Sequence, residues 1–382
     1  MENNITKTRF KFKNFIVFIV LYFIMIGSKE VFTFLGQGDF VFGGVLALSV
    51  ILSFSFVKHP AKYSKLYLVG CLFYLFLFIM SLKPLDFEYG FQKAFLGLFV
   101  PLALFGFICK KQWNEAELLR YFILSILIIS SVAILYKSRF GIFTRSVSFG
   151  LLGPIPFGWV NGMALLAVAL KREKKIFDFL LIAFFFLMVI WSGSKGPLVA
   201  FFIISIFFFN RILGNKFSTK LVVGLLLTVA FLFVKSYSED IRAVRTIMKY
   251  IEDPEGYTEG AGQGSIGARE YYVNYSLDLF ENNPFSGVGF GGWSNSPIVT
   301  HKYPHNIYVE LLSEVGLIGV FLFCLLLFNI KFKSIFGYMG LFGMLCLSFS
   351  GDFSYFRYSL FLLLISTYLV KEHKTLEQIN IN

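Results

Sequence analysis

Apolar runs of about eighteen residues recur along most of this chain. They constrain it more than any other feature, because a helix of about that length crosses the hydrocarbon core of a bilayer. A soluble domain of 382 residues could not hide them, since 57% of the residues are hydrophobic, 51 are Phe and only 15% are charged. The runs are continuous, whereas a membrane β-barrel alternates polarity in segments of about ten residues. The sequence therefore predicts an all-α polytopic membrane protein.

Twelve spans are placed, at 14–34, 40–57, 66–82, 91–109, 119–136, 150–170, 176–192, 197–213, 219–235, 304–328, 334–349 and 355–370. The sixth is the least hydrophobic. It holds Gly150, Gly153, Pro154, Pro156 and Gly158, so its first turn is expected to be broken. Lys7, Arg9, Lys11 and Lys13 precede an apolar run that no small-residue cleavage site follows, which points to a retained first span. The spans divide the chain into residues 1–235 with nine helices, a long polar loop at 236–303, and residues 304–382 with the last three helices and a tail.

The net charge of +12 suggests nucleic acid at first sight, but basic loops are what the positive-inside rule requires of a membrane protein. With the N-terminus inside, every inner loop is basic: Lys58 to Lys65, Lys110 and Lys111, Lys171 to Lys175, Arg211 to Lys220, Lys331 and Lys333, and Lys371 and Lys374. Both termini then lie in the cytoplasm, and no nucleic-acid partner is expected. Cys71, Cys109, Cys324 and Cys346 fall in or beside apolar runs, which predicts buried small side chains and no disulfide framework.

Some cations break the orientation rule. Lys137, Arg139 and Arg145 lie between spans five and six. Lys195 sits in a tight SGSKG turn, and Arg242, Arg245, Lys249 and Arg269 lie in the long loop. Arg357 begins the last span. Cations kept on the side where insertion disfavours them suggest an anionic ligand there; ordinary loop solubility is the alternative.

The long loop has its own order. Ile241, Val244, Met248 and Ile251 recur at helical spacing beside a stripe of Arg242, Arg245 and Lys249. Residues 238–251 are thus expected to form a surface amphipathic helix whose basic stripe fits either lipid headgroups or a bound phosphate. A glycine-rich run follows, then a second helix at 267–281 with Tyr271, Tyr272 and Tyr275. These rings suit either stacking on sugars or the bilayer interface.

GVGFGG, Gly287 to Gly292, lacks the strand and helix that a nucleotide loop needs. His301 and His305 have the spacing of a metal pair, but Pro304 intervenes and no third ligand stands out, so no metal and no cofactor is expected. PHNIYVELLSEVGLIG is the sharper signal. It places His305 at the water boundary, near the first turn of span ten, where a neutral imidazole can accept a proton. Asn306 would orient it or cap the helix, and Glu310, one turn on, is placed to hydrogen-bond the ring. The competing reading is that His305 and Asn306 only cap the span.

The PHN-x-Y-x-E-L-x-x-E-x-G-L-I-G pattern resembles the O-antigen polymerase and O-antigen ligase superfamily of bacterial inner-membrane glycosyltransferases. Arg269 in GARE, the NPFSGVGFGGW segment, the Ser192 to Gly196 turn and the long loop before the last spans extend the resemblance over about 190–320. The first 130 residues match in hydropathy alone. Lys195 stands where arginine is commoner. The resemblance implies a GT-C-like helical fold in the inner membrane with its active site facing the periplasm. It implies polyprenyl-diphosphate-linked oligosaccharide as donor and acceptor, membrane lipid around the site, and room for a chain-length regulator as partner. The catalytic set it suggests is His305 as base with Arg269 and Arg145 on the diphosphate. Lys195, Arg242, Arg245, Arg139, Asn306, Glu310 and Tyr272 are the binding candidates. An O-antigen polymerase is the leading expectation. A ligase acting on lipid A-core is the first alternative, and a secondary transporter of an anionic substrate the second. A transporter predicts internal span repeats, which the sequence does not display.

Overall fold

A computed structural model describes residues 11–34, 63–84, 87–142, 149, 152–171, 173–207, 267–295 and 302–379. Within these the chain is helical, and the Phe149–Leu152 bridge is the one β-type pairing among them. The helices are α1 (Phe12–Phe34), α2 (Ser64–Ser81), α3 (Phe87–Cys109), α4 (Glu115–Phe140), α5 (Pro154–Ala169), α6 (Ile176–Trp191), α7 (Lys195–Phe207), α8 (Gly267–Asn282), α9 (Ile307–Phe328), α10 (Ile335–Phe349) and α11 (Phe356–Ile379).

The predicted spans at 40–57 and 219–235 and the amphipathic helix at 238–251 lie outside the described residues. Each of the other ten spans overlaps a described helix, with 150–151 and 208–213 outside the described residues, and the loop helix predicted at 267–281 is α8. Five segments, Ser64–Ser81, Phe87–Cys109, Glu115–Phe140, Ile307–Phe328 and Phe353–Glu372, are long and apolar enough to cross a membrane. Five more apolar helices are shorter, Pro154–Ala169 among them. The molecule is therefore of the all-α membrane class.

Local chemistry sets the helix ends. Asn114 caps α4 by accepting the Glu117 amide at 2.7 Å. Glu115 and Glu117 lie in its first turn, with Lys137 and Arg139 in its last, the arrangement the helix dipole favours. α5 starts at Pro154, whose fixed φ suits a first helical position, so Leu152 and Gly153 stay outside the helix, in line with the broken first turn expected there. α5 is apolar on every side and buried throughout from Pro156 to Ala169, which makes it a central helix. α10 packs along α11 and also against α5 and α7.

Arg357, fully buried in the first turn of α11, ties that helix to α1. Its Nε donates to the Met25 carbonyl at 2.9 Å, and Nη1 donates to the Ser354 carbonyl at 2.6 Å. Its guanidinium lies over the Tyr358 ring, 4.6 Å from the centroid. The cysteines depart from expectation. Cys346 is buried, but Cys71 and Cys324 are exposed on the outer faces of their helices, where a thiol is apolar enough to meet lipid.

Candidate functional site

α9 is not one helix. Gly316 sits at φ 60°, ψ −162°, a conformation essentially restricted to glycine, and divides the helix into a short first half and a longer second half. Such a break strands carbonyls at the end of the first half and amides at the start of the second. The NPFSGVG segment supplies the missing partners. Val288 and Gly289 amides donate to the Ser313 and Glu314 carbonyls at 3.0 and 2.9 Å, and the Leu317 and Ile318 amides donate to the Pro284 and Phe285 carbonyls at 2.8 and 3.1 Å. Gly287, at φ 64°, lets the two backbones meet; a Cβ there would be 2.5 Å from the Val315 nitrogen. The glycine-rich segment thus pairs with a broken helix.

The same segment reaches two further elements. The Phe290 amide donates to the Met80 carbonyl at 3.0 Å, and Lys83 donates to the Ser286 hydroxyl at 2.9 Å, so the end of α2 is joined to the seam. Trp293, fully buried, donates from Nε1 to Ser276 Oγ at 2.9 Å, and Ser276 donates to the Tyr272 carbonyl at 2.7 Å. Trp293 also meets Tyr272 edge-on, with centroids 5.5 Å apart. These contacts fix α8 against the seam.

His305 stands at the head of α9. It has φ 60°, which is costly for a residue with a Cβ. Tyr272 stacks on its ring at 6.3 Å, and Tyr303 meets it edge-on at 4.5 Å. Asn306 is the N-cap, its Oδ1 accepting the Tyr308 and Val309 amides at 3.0 and 3.5 Å. The residue that caps the helix is therefore Asn306, and His305 stands just before it, between two tyrosines.

Arg269 lies one turn before Tyr272 on α8, and its positive charge acts on Tyr303. Burial, and then the negative charges of Asp352 and Glu310, push the Tyr303 phenol up, with Arg269 opposing them. Arg269, Tyr272, Tyr303, His305 and Asn306 therefore share one neighbourhood.

Glu310 is fully buried, and its carboxylate meets Lys93 of α3 at 2.5 Å. Glu314, one turn further on, meets the same ammonium at 2.6 Å and accepts the Gly291 amide at 3.0 Å. Lys93 also lies over the Phe290 and Tyr89 rings, 4.6 and 5.1 Å from their centroids. Tyr89 in turn donates to Asp352 at 3.1 Å. The sequence reading gave Glu310 to the histidine ring and passed over Lys93, Glu314, Tyr303 and Asp352. The missed signal was a lysine inside the apolar run at 91–109, opposite two carboxylates spaced i, i+4.

The other candidates scatter. Lys195 opens α7 after a turn in which Gly193 has φ 63°. Gly196 packs on Phe349, which places that turn beside the segment carrying Asp352. Arg139 is exposed in the last turn of α4, while Lys137 is buried over the Phe149 ring, 4.1 Å from its centroid. Arg145, Arg242 and Arg245 lie outside the described residues, as does His301.

The fold and this cluster define a multi-pass helical membrane protein with a charged, aromatic site built around a broken helix. Residues 180–324 match the family model described as O-antigen ligase, which supports the resemblance to the O-antigen polymerase and ligase superfamily over that stretch. The match takes in Lys195, α8, the glycine-rich seam and the first half of α9, and leaves Lys93, Arg139 and Arg145 outside. No curated protein matches the chain.

Proposed function

We propose that the protein is an O-antigen polymerase that joins polyprenyl-diphosphate-linked oligosaccharide units at the periplasmic face of the bacterial inner membrane. In this reading twelve spans place both termini in the cytoplasm and the 236–303 loop outside. The observation that carries it is His305, held at a positive φ between Tyr272 and Tyr303, with Arg269 one helical turn away, inside the O-antigen ligase segment.

The chemistry follows from those groups. The acceptor hydroxyl attacks the anomeric carbon of the donor sugar as the bond from that carbon to the diphosphate breaks. His305 takes the hydroxyl proton, and the leaving polyprenyl diphosphate departs with the bonding electrons. Charge builds on the diphosphate, and a guanidinium fork is the side chain best shaped to take it. Arg269 fills that role with Arg145, and Lys195, Arg139, Arg242 and Arg245 extend the positive surface. These cations take the charge that a metal carries in other diphosphate sites. Direct displacement inverts the anomeric centre. Tyr272 offers a ring face to the sugar.

The family description itself favours a second reading, transfer of the finished glycan to lipid A-core. A deletion strain separates the two. Loss of a polymerase leaves lipopolysaccharide carrying one repeat unit; loss of a ligase leaves bare core. A secondary transporter would use the same cations without making bonds, and purified protein would then leave lipid-linked oligosaccharide unchanged.

A further inference from the structure

α9 is broken at Gly316, so its second half does not by itself fix the direction of its first half. What fixes the first half comes from outside the helix. One ammonium, Lys93, is shared by Glu310 at 2.5 Å and Glu314 at 2.6 Å, and all three side chains are at most 1% exposed. Glu314 also holds the Gly291 amide, and Tyr89, beneath the same ammonium, is bonded to Asp352. Four pieces of chain therefore meet at one charge: α3, the first half of α9, the glycine-rich seam and the turn before α11. His305 and Asn306 sit at the free end of that first half.

We propose that Lys93 is a positioning residue for the reaction: its double ion pair to Glu310 and Glu314 sets the angle of the first half of α9 and thereby places the His305 ring. This rests on the reading of His305 as the base. Lys93 itself stays away from substrate, being buried among carboxylates and rings. A buried ion pair is often replaceable by neutral side chains with little loss of stability, whereas a carboxylate pair left without its cation is not. Such clusters therefore act through geometry more than through stability, and the two effects can be separated by experiment.

The test uses the full-length protein in detergent, with His59, His301 and His373 replaced by Gln so that diethyl pyrocarbonate reports on His305 alone. The key variant is Lys93→Met with Glu310→Gln and Glu314→Gln, which removes all three charges and leaves an amide to accept the Gly291 N–H. It is expected to fold. Its His305 modification rate should differ from the parent's by about threefold or more, and its kcat on lipid-linked oligosaccharide should fall about tenfold or more with KM within about threefold. Glu310→Gln alone keeps one ion pair and should shift both readouts the same way by less, so it serves if the triple variant fails to fold. Folded variants with the parent's modification rate and kcat would overturn the inference. His305→Ala run in parallel isolates the underlying reading. If it stays active, the histidine is not the base, and the modification rate alone then judges the positioning; if it is inactive while the rate is unchanged, only the positioning fails.

Discussion

At the scale of single residues, His305 carries a conformational cost that the proposed role as base would explain. A side chain at φ 60° costs about 1–2 kcal/mol that glycine would not. His305→Gly should therefore unfold no earlier than His305→Ala in a thermal melt, and usually later, while both lose glycan transfer. A histidine kept only as a helix cap would be improved by glycine with no loss of activity. Tyr303 makes a second case. Its folded-state phenol is raised above the usual value of 10.0, so the folded protein holds that proton more tightly than the unfolded chain does. The stability this adds is present below about pH 10 and is lost as pH climbs through the folded value. Tyr303→Phe should flatten the fall in melting temperature between about pH 9 and 11. An identical fall in both proteins would contradict the assignment. Below that range Tyr303 remains a neutral phenol beside the His305 ring.

At the scale of elements, the site depends on two partners for one broken helix. Gly316→Ala puts a Cβ 2.5 Å from the Phe285 carbonyl carbon in a conformation only glycine adopts readily. It should cost about 1–3 kcal/mol or more, read as a lowered melting temperature. The charges behave asymmetrically. Lys93→Met strands two buried carboxylates and should cost about 3–5 kcal/mol, whereas Glu310→Gln leaves a one-to-one pair and should cost less than about 2 kcal/mol. Equal losses would show that the ion pairs do not share one cation.

These elements also mark what the sequence could and could not disclose. Hydropathy and caps located α8 within a residue and the late start of α5 at Pro154, because those signals are local. The position of His305 at the head of α9 and the Asn306 cap were legible for the same reason. Lys93 was not, because one lysine vanishes in an eighteen-residue average and its partners lie 217 and 221 positions away. The glycine-rich segment was set aside as a nucleotide loop and counted only toward the family resemblance, since its partner, a break at Gly316, exists only once α9 is folded. Glu310 was read by its nearness to His305 in sequence, and a buried ammonium from another helix claimed it.

At the scale of the whole molecule, α5, α10 and α11 form the packed centre, and α8 with its seam covers one end of α9. Arg357 pins the first turn of α11 to α1 through backbone carbonyls and itself stands outside the proposed binding groups, so Arg357→Met should weaken the bundle more than it alters binding: lower melting temperature, unchanged KM. Orientation belongs to this scale too. With the native cysteines removed, cysteines placed at 255–262 should react with an impermeant maleimide from the periplasmic side, and cysteines at 331–333 should not. The measurement nearest the central claim is the lipopolysaccharide ladder of a deletion strain carrying either the wild-type gene or His305→Ala. The account predicts that wild type restores a full ladder, while His305→Ala, present in the membrane at equal amount, leaves single-unit lipopolysaccharide. A normal ladder from His305→Ala would contradict it.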